Sequence, residues 1–283
     1  MSSHLSLSYK DFTLLPDLIT EVGDIILQKR NEGYQVSRKK DGTFVTSVDL
    51  LANKYIKSLL RSKFGKDIKI VSEENDEWEN AQNECSEYFL IDPIDGTSFF
   101  IRGGDFCINI AYVVNGIPVF GIIGIPTKGE IFFNDKNNVY KQTKNDTIRL
   151  LPQFSTQGHK KNYAMISNHR SIIRTSGDSF NADDMGQRLE TMCVKISCKL
   201  SAVAAIKYCL LIEGVGDFVL SFGTISAWDI AAPNALCRAM GIHFTDSNGK
   251  ELNFGYTVKN QSVFASGYNF LHRSLLTAFK NPL

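Results

Sequence analysis

The stretch Asp92-Pro93-Ile94-Asp95-Gly96-Thr97 follows an apolar run, Tyr88 to Ile91, and sets two carboxylates three residues apart. Pro93 stiffens the segment, Gly96 lets the backbone turn tightly, and Thr97 adds a hydroxyl and an N–H. Oxygen-only ligands of this kind suit a hard cation such as Mg²⁺, held at about 2.0–2.1 Å with some waters retained. Three further acidic features could join them: Glu73-Glu74 after a strand expected to end at Val71-Ser72, Asp229 in Ser226-Ala227-Trp228-Asp229, and Asp49 in Thr46-Ser47-Val48-Asp49.

Each acid also has a purely structural reading. Asp-Pro-x-Asp-Gly alone is a common polar turn. The acidic run that continues through Asp76, Glu77 and Glu79 reads as a solvated loop. Ser226-x-x-Asp229 before an apolar helix is a capping box, and Asp49 could complement a helix dipole in a first turn.

Their conjunction and order resemble one family: the lithium-sensitive, magnesium-dependent phosphomonoesterases of the inositol monophosphatase superfamily. The family's Asp-Pro-x-Asp-Gly-Thr signature stands at Asp92 to Thr97, its Glu-Glu at Glu73-Glu74, its Trp-Asp at Trp228-Asp229, and its Thr-x-x-Asp at Thr46 to Asp49. The resemblance implies an αβαβα sandwich of α/β class. It implies two or three Mg²⁺ ions, one held by Glu73, Asp92 and the Ile94 carbonyl, another by Asp92, Asp95 and Asp229. Glu73, Thr97 and Asp49 would be catalytic, orienting the attacking water. Asp95, Gly96, Thr97, Lys207 and Asp229 would meet the substrate. A phosphate dianion approaching so many carboxylates is repelled unless cations reverse the local field.

Within the superfamily, Gly104-Asp105-Phe106-Cys107-Ile108-Asn109-Ile110-Ala111 and Ile206-Lys207-Tyr208-Cys209-Leu210 look like the bacterial-type 3'(2'),5'-bisphosphate nucleotidases. The implied substrate is adenosine 3',5'-bisphosphate or its 5'-phosphosulfate analogue, with inositol 1-phosphate or a non-catalytic descendant as alternatives. The chain departs from that pattern at Ser201-Ala202-Val203-Ala204, where the nucleotidases open a substrate-side helix with Gly-Ser, and in the segment Phe99 to Gly104, one residue shorter.

The elements that must position these groups follow from periodicity. Leu15, Leu18, Val22 and Ile25/Ile26 mark a helix over Asp11 to Arg30, and Val48, Leu51, Tyr55 and Leu59 another over Ser47 to Lys63. Apolar runs at 69–71, 88–91, 106–114, 118–125, 129–133 and 139–142 read as an antiparallel meander, with Asn115-Gly116 as a hairpin turn. Strands near 163–167, 194–197, 217–221, 242–245 and 263–266 then alternate with helices over 201–213, 227–240 and 269–279, giving a second, helix-covered sheet. The expected halves are 1–150, a metal-binding α+β unit, and 151–283, an α/β unit contributing Asp229 and the substrate side.

Being 43% hydrophobic, the 283 residues can bury a large core. The formal charge of +1 provides no global field for a nucleic-acid polymer or an anionic membrane, so phosphate recognition must be local. No apolar run reaches the ~20 residues of a membrane span. The expected setting is cytoplasmic, the partner a small phosphorylated metabolite, and a homodimer is compatible with it. The six cysteines form no CxxC pair and read as reduced, buried hydrophobes.

Overall fold

The computed structural model describes residues 7–74, 86–153, 162–167, 172–174, 179–223, 225–255, 259–260 and 262–280. The chain begins with a 3₁₀ turn, Tyr9–Leu14, capped reciprocally by Ser8 and Asp11. Helix α1 (Leu15–Glu32) follows, with Pro16 in its first turn and Leu15, Leu18, Ile19, Val22 and Ile26 buried. A ribbon too short to leave a periodic signal, β1 (Val36–Arg38) with β2 (Phe44–Thr46), leads into α2 (Ser47–Phe64).

The buried stripe of α2 is Val48, Ala52, Ile56, Leu60 and Phe64. This corrects the expected phase, since Leu51 is exposed and Tyr55 and Leu59 are only half-buried. The physical reason lies at the N-terminus: Thr46 and Asp49 form a capping box that holds Asp49 inward, and the residues i+3 and i+7 from it, Ala52 and Ile56, inherit that face.

Beneath these helices lies a seven-stranded sheet in sequence order: β3 (Ile70–Ser72), β4 (Glu87–Asp95), β5 (Cys107–Val114), β6 (Ile117–Ile125), β7 (Glu130–Asn134), β8 (Val139–Gln142) and β9 (Thr147–Leu150). Every pairing is antiparallel except β3 with β4. Asn115 and Gly116, both at positive φ, turn the β5–β6 hairpin as expected. Alternate residues serve opposite cores: Phe89, Ile91, Ile108, Ile110 and Tyr112 pack under α1 and α2, whereas Tyr88, Leu90, Ala111 and Val113 face the other way.

The second sheet has the order β13-β10-β14-β18-β16, from β10 (Tyr163–Ser167), β13 (Ile196–Ser201), β14 (Phe218–Ser221), β16 (His243–Asp246) and β18 (Val263–Ser266). Here β10 runs parallel to both neighbours while β18 pairs antiparallel on both sides. Two small ribbons pair apart from it, β11 (Ile172–Arg174) with β12 (Ser179–Asn181) and β15 (Ile225–Ser226) with β17 (Lys259–Asn260). The helices Ile206–Ile212 and Ala227–Ala239 share one core with both sheets, and Ala182–Thr191 and Asn269–Lys280 close the outer face. The result is the expected layering of helices, sheet, helices, sheet, helices.

Three expectations need correction. The helix read over 201–213 begins only at Ile206, because β13 runs on to Ser201 and Ala204 turns left-handed. The Ala182–Thr191 helix went unread, its core-facing Met185 and Leu189 being too few to mark a stripe. Of the cysteines, Cys107, Cys209 and Cys237 are buried and free, but Cys193 and Cys198 are exposed. Cys85, Asp76, Glu77 and Glu79 lie outside the described residues. No described helix is long and apolar enough to cross a membrane.

Candidate active site

In a regular strand, residues three apart face opposite sides. Asp92 and Asp95 do not, because the β4–β5 register breaks between them: Asp92 pairs with Asn109 and Asp95 with Cys107. This irregularity restores a common face, so Ile91 and Ile94 both enter the core under α1 and α2 while the two aspartates turn together the other way. Asp229 arrives from the first turn of the Ala227–Ala239 helix. Carboxylate oxygens of Asp92, Asp95 and Asp229 lie within 4.8 Å of one another. Asp229 also accepts the Ser226 N–H, so half of the capping-box reading is real, although the Ser226 side chain caps nothing.

Burial, followed by repulsion from Glu73, Asp95 and Asp229, raises the Asp92 carboxyl well above the usual range. Asp229 is raised by burial and then by Asp95 and Glu73, with Lys207 opposing. Burial pushes Asp95 up to about 6, opposed by Lys207, Asn109 and the Ala205 amide. Such a cluster demands positive charge, and its all-carboxylate donors suit a hard divalent ion.

Glu73 sits against Asp92 and is also held by Lys39, whose Nζ is 2.8 Å from Glu73 Oε1 and 2.8 Å from Glu74 Oε1. Lys39 went unnoticed in the sequence; it follows β1, and nothing local marks it as facing acids 34 and 35 residues away. Glu74 is pushed up to about 7 by burial despite that lysine. Asp49 links the helix cap to the site. Its Oδ2 accepts from the Thr46 N–H at 2.8 Å, and its Oδ1 accepts the Thr97 hydroxyl at 3.1 Å. The Thr97 hydroxyl is equally close, 3.1 Å, to the Ile94 carbonyl, and burial raises the Asp49 pKa. Gly96 caps the short turn Thr97–Phe100 at φ 96, so glycine is required there.

Lys207 is 7% exposed. Its pKa is lowered by burial, with Asp95 and Asp229 pulling it back up, which places it beside the carboxylates. The expected site residues therefore converge from five segments of chain.

The Inositol monophosphatase family description matches residues 12–282, nearly the whole chain. The chain belongs to that family. As a family member it is a phosphatase, and its curated relatives agree. It is 28% identical over 240 residues to the 3'(2'),5'-bisphosphate nucleotidase CysQ of Salmonella typhimurium, covering 84% of this chain and 91% of that protein. To the CysQ of Buchnera aphidicola it is 29% identical over 238 residues, covering 82% and 83%. Among solved structures, the IMPase of Thermotoga maritima superposes with TM-score 0.73 at 23% identity, covering 96% of this chain and 97% of that one. CysQ from Bacteroides thetaiotaomicron gives TM-score 0.73 at 22% identity, covering 93% and 98%. These two likenesses establish the fold.

The phosphatase departs from expectation at the turn that follows β13. The left-handed residue there is Ala204, at φ 51, with Val203 before it and no helix until Ile206. A Cβ added to Gly96 would meet the Ala204 Cβ at 3.4 Å, so this turn packs directly on the signature loop.

Proposed function

We propose that this phosphatase hydrolyses a phosphate monoester with Mg²⁺, its substrate being the 3'(2')-phosphate of adenosine 3',5'-bisphosphate or of the 5'-phosphosulfate analogue. The observation that carries the reading is the convergence of Asp92, Asp95 and Asp229 within 4.8 Å. Relatives named 3'(2'),5'-bisphosphate nucleotidase, matched over 84% of the chain, support the choice of substrate. The setting that goes with it is cytoplasmic, with a small phosphorylated metabolite as partner.

Glu73, Asp92 and the Ile94 carbonyl would hold one ion, and Asp92, Asp95 and Asp229 a second, two or three ions serving in all. Bound Mg²⁺ would supply Lewis-acid activation of water and neutralise charge on the leaving oxygen. The chain's own groups do the rest. With its proton directed to Asp49, the Thr97 hydroxyl has lone pairs free to accept from, and so orient, a water. Asp49 and Glu73 offer carboxylates to receive its proton. Lys207 offers a buried cation to substrate phosphate, and the Gly96 and Thr97 N–H groups would meet phosphate oxygens.

The test is phosphate release from adenosine 3',5'-bisphosphate, inositol 1-phosphate and fructose 1,6-bisphosphate, with Mg²⁺ and with chelator. Turnover of the nucleotide above the others, abolished by chelation, supports the proposal. Preference for inositol 1-phosphate would move the phosphatase to the second reading, an inositol-phosphate phosphatase. No metal-dependent release from any of them would overturn the metal-dependent reading.

A further inference from the structure

Asn109 is 1% exposed and stands opposite Asp92 in the β4–β5 ladder. Its Nδ2 donates to Asp95 Oδ2 at 2.9 Å, across the break in register. The same oxygen accepts the Ala205 N–H at 2.8 Å. Asp95 Oδ2 thus has two donors of its own, from a strand and from a turn, and Oδ1 is the oxygen left for the carboxylate cluster. The amide can sit only this way round, because the flipped form would set two acceptors face to face. Once Nδ2 is committed, Asn109 Oδ1 is buried with no donor among the described residues. A buried amide oxygen in that condition carries its full desolvation penalty unless something donates to it.

The second donor depends on Ala204. At φ 51 it bends the chain left-handed between the end of β13 and the helix at Ile206, and that bend aims the Ala205 N–H at Asp95. A residue with a Cβ adopts this conformation only against a steric clash with its own backbone. Two separate features, a buried amide and a strained turn, therefore act on one carboxylate oxygen.

We infer that Asn109 is a positioning residue of the phosphatase: with the Ala205 amide it fixes the rotamer of Asp95, so that one oxygen faces Asp92 and Asp229, and it presents its own free Oδ1 as an acceptor at the same site. The inference rests on the metal-dependent reading above. Without Asn109, Asp95 keeps one donor, is free to rotate about its side chain, and loses affinity for the ion shared with Asp229, while the Glu73–Asp92 side is undisturbed.

The test is calorimetric titration of metal-stripped full-length protein with Mn²⁺ alone, for wild type, Asn109→Leu and Ala204→Val, with the thermal midpoint of each metal-free form measured in parallel. Asn109→Leu keeps the volume and removes the donor; Ala204→Val disturbs the turn and so displaces the other donor. Each is expected to weaken one class of sites about 10–100-fold and to leave the other within a factor of about 2. Wild-type isotherms in a folded Asn109→Leu overturn the inference. Equal weakening of both classes overturns it too, because that is general loosening. If Asn109→Leu does not fold, Ala204→Val decides alone by the same criterion. If wild type itself binds no Mn²⁺, the metal-dependent reading fails first, a result distinct from wild-type binding that the variants leave unchanged.

Discussion

Thr97 and Asp49 lie 48 residues apart in sequence, and their side chains meet at 3.1 Å, Thr97 Oγ1 donating to Asp49 Oδ1. Asp49 spends its other oxygen on the Thr46 cap, so the start of α2 and the signature loop are clamped by one carboxylate. If that pair orients the attacking water, Thr97→Val should lower kcat about 10²–10³-fold with KM little changed. A variant that instead raises KM alone would show the hydroxyl acting in binding.

Asp95→Asn should have opposite effects on stability and on activity. In metal-free protein it removes one of three mutually repelling acids, so the thermal midpoint in chelator should rise. The same change removes a cation ligand and should cost several kcal/mol of transition-state stabilisation at saturating Mg²⁺. Near wild-type turnover would show that Asp95 holds no catalytic ion.

Lys39 neutralises Glu73 and Glu74 at 2.8 Å each. Lys39→Met should therefore free Glu73, deepen the negative field and lower the Mg²⁺ concentration for half-maximal activity, by about 3–10-fold for a gain of roughly 1 kcal/mol. It should also destabilise the metal-free form, which is left with unpaired acids. Weaker Mg²⁺ dependence would mean that Lys39 supports the ion site instead of competing with it.

His272 gives a pH signature separate from the carboxylates. Burial, then the neighbouring His243, lowers its pKa to about 4, while its Nε2 bonds Thr245 Oγ1 at 2.9 Å. An unfolded histidine titrates near 6.5, so as pH falls from there towards 4 the unfolded chain takes up a proton that the folded chain refuses, and stability is lost. Between pH 7.5 and 5 the loss is about 2 kcal/mol. Asp95, raised to about 6, has the opposite sign and gains stability as pH falls through that value. Comparing wild type with His272→Leu cancels the carboxylate contribution, and the variant's midpoint should fall less on acidification. Parallel pH profiles would remove His272 from the account.

At Ala204 the left-handed φ of 51 suits glycine. Ala204→Gly should stabilise by about 0.5–1 kcal/mol, offset in part by the added chain entropy of glycine, and raise the thermal midpoint by roughly 1–3 °C. Glycine at Val203 carries no such expectation, since its φ is not positive. A lower midpoint for Ala204→Gly would show that the Ala204 methyl packing on Gly96 outweighs the relief of strain.

What the sequence determined by itself was local. Asp92 to Thr97 announced itself by residue types and spacing alone, although the break in the β4–β5 register is what turns its two aspartates to one face. The Asn115-Gly116 turn and the apolar stripe of α1 rest equally on near neighbours, so these elements could be read before any contact was known, whereas the order of layers came from the family resemblance. What only the tertiary structure decided involves segments far apart in the chain: the meeting of Asp49 with Thr97, and the grip of Lys39 on Glu73 and Glu74. It also includes the burial of Lys207 among acids, and the two donors that Asn109 and Ala205 direct at one oxygen of Asp95. Charge, polarity and backbone strain at those positions have no periodicity to announce them. Each is tolerable only because a particular partner from another element stands within hydrogen-bonding or Coulombic reach, and that reach exists only after the two sheets have closed on the helices between them.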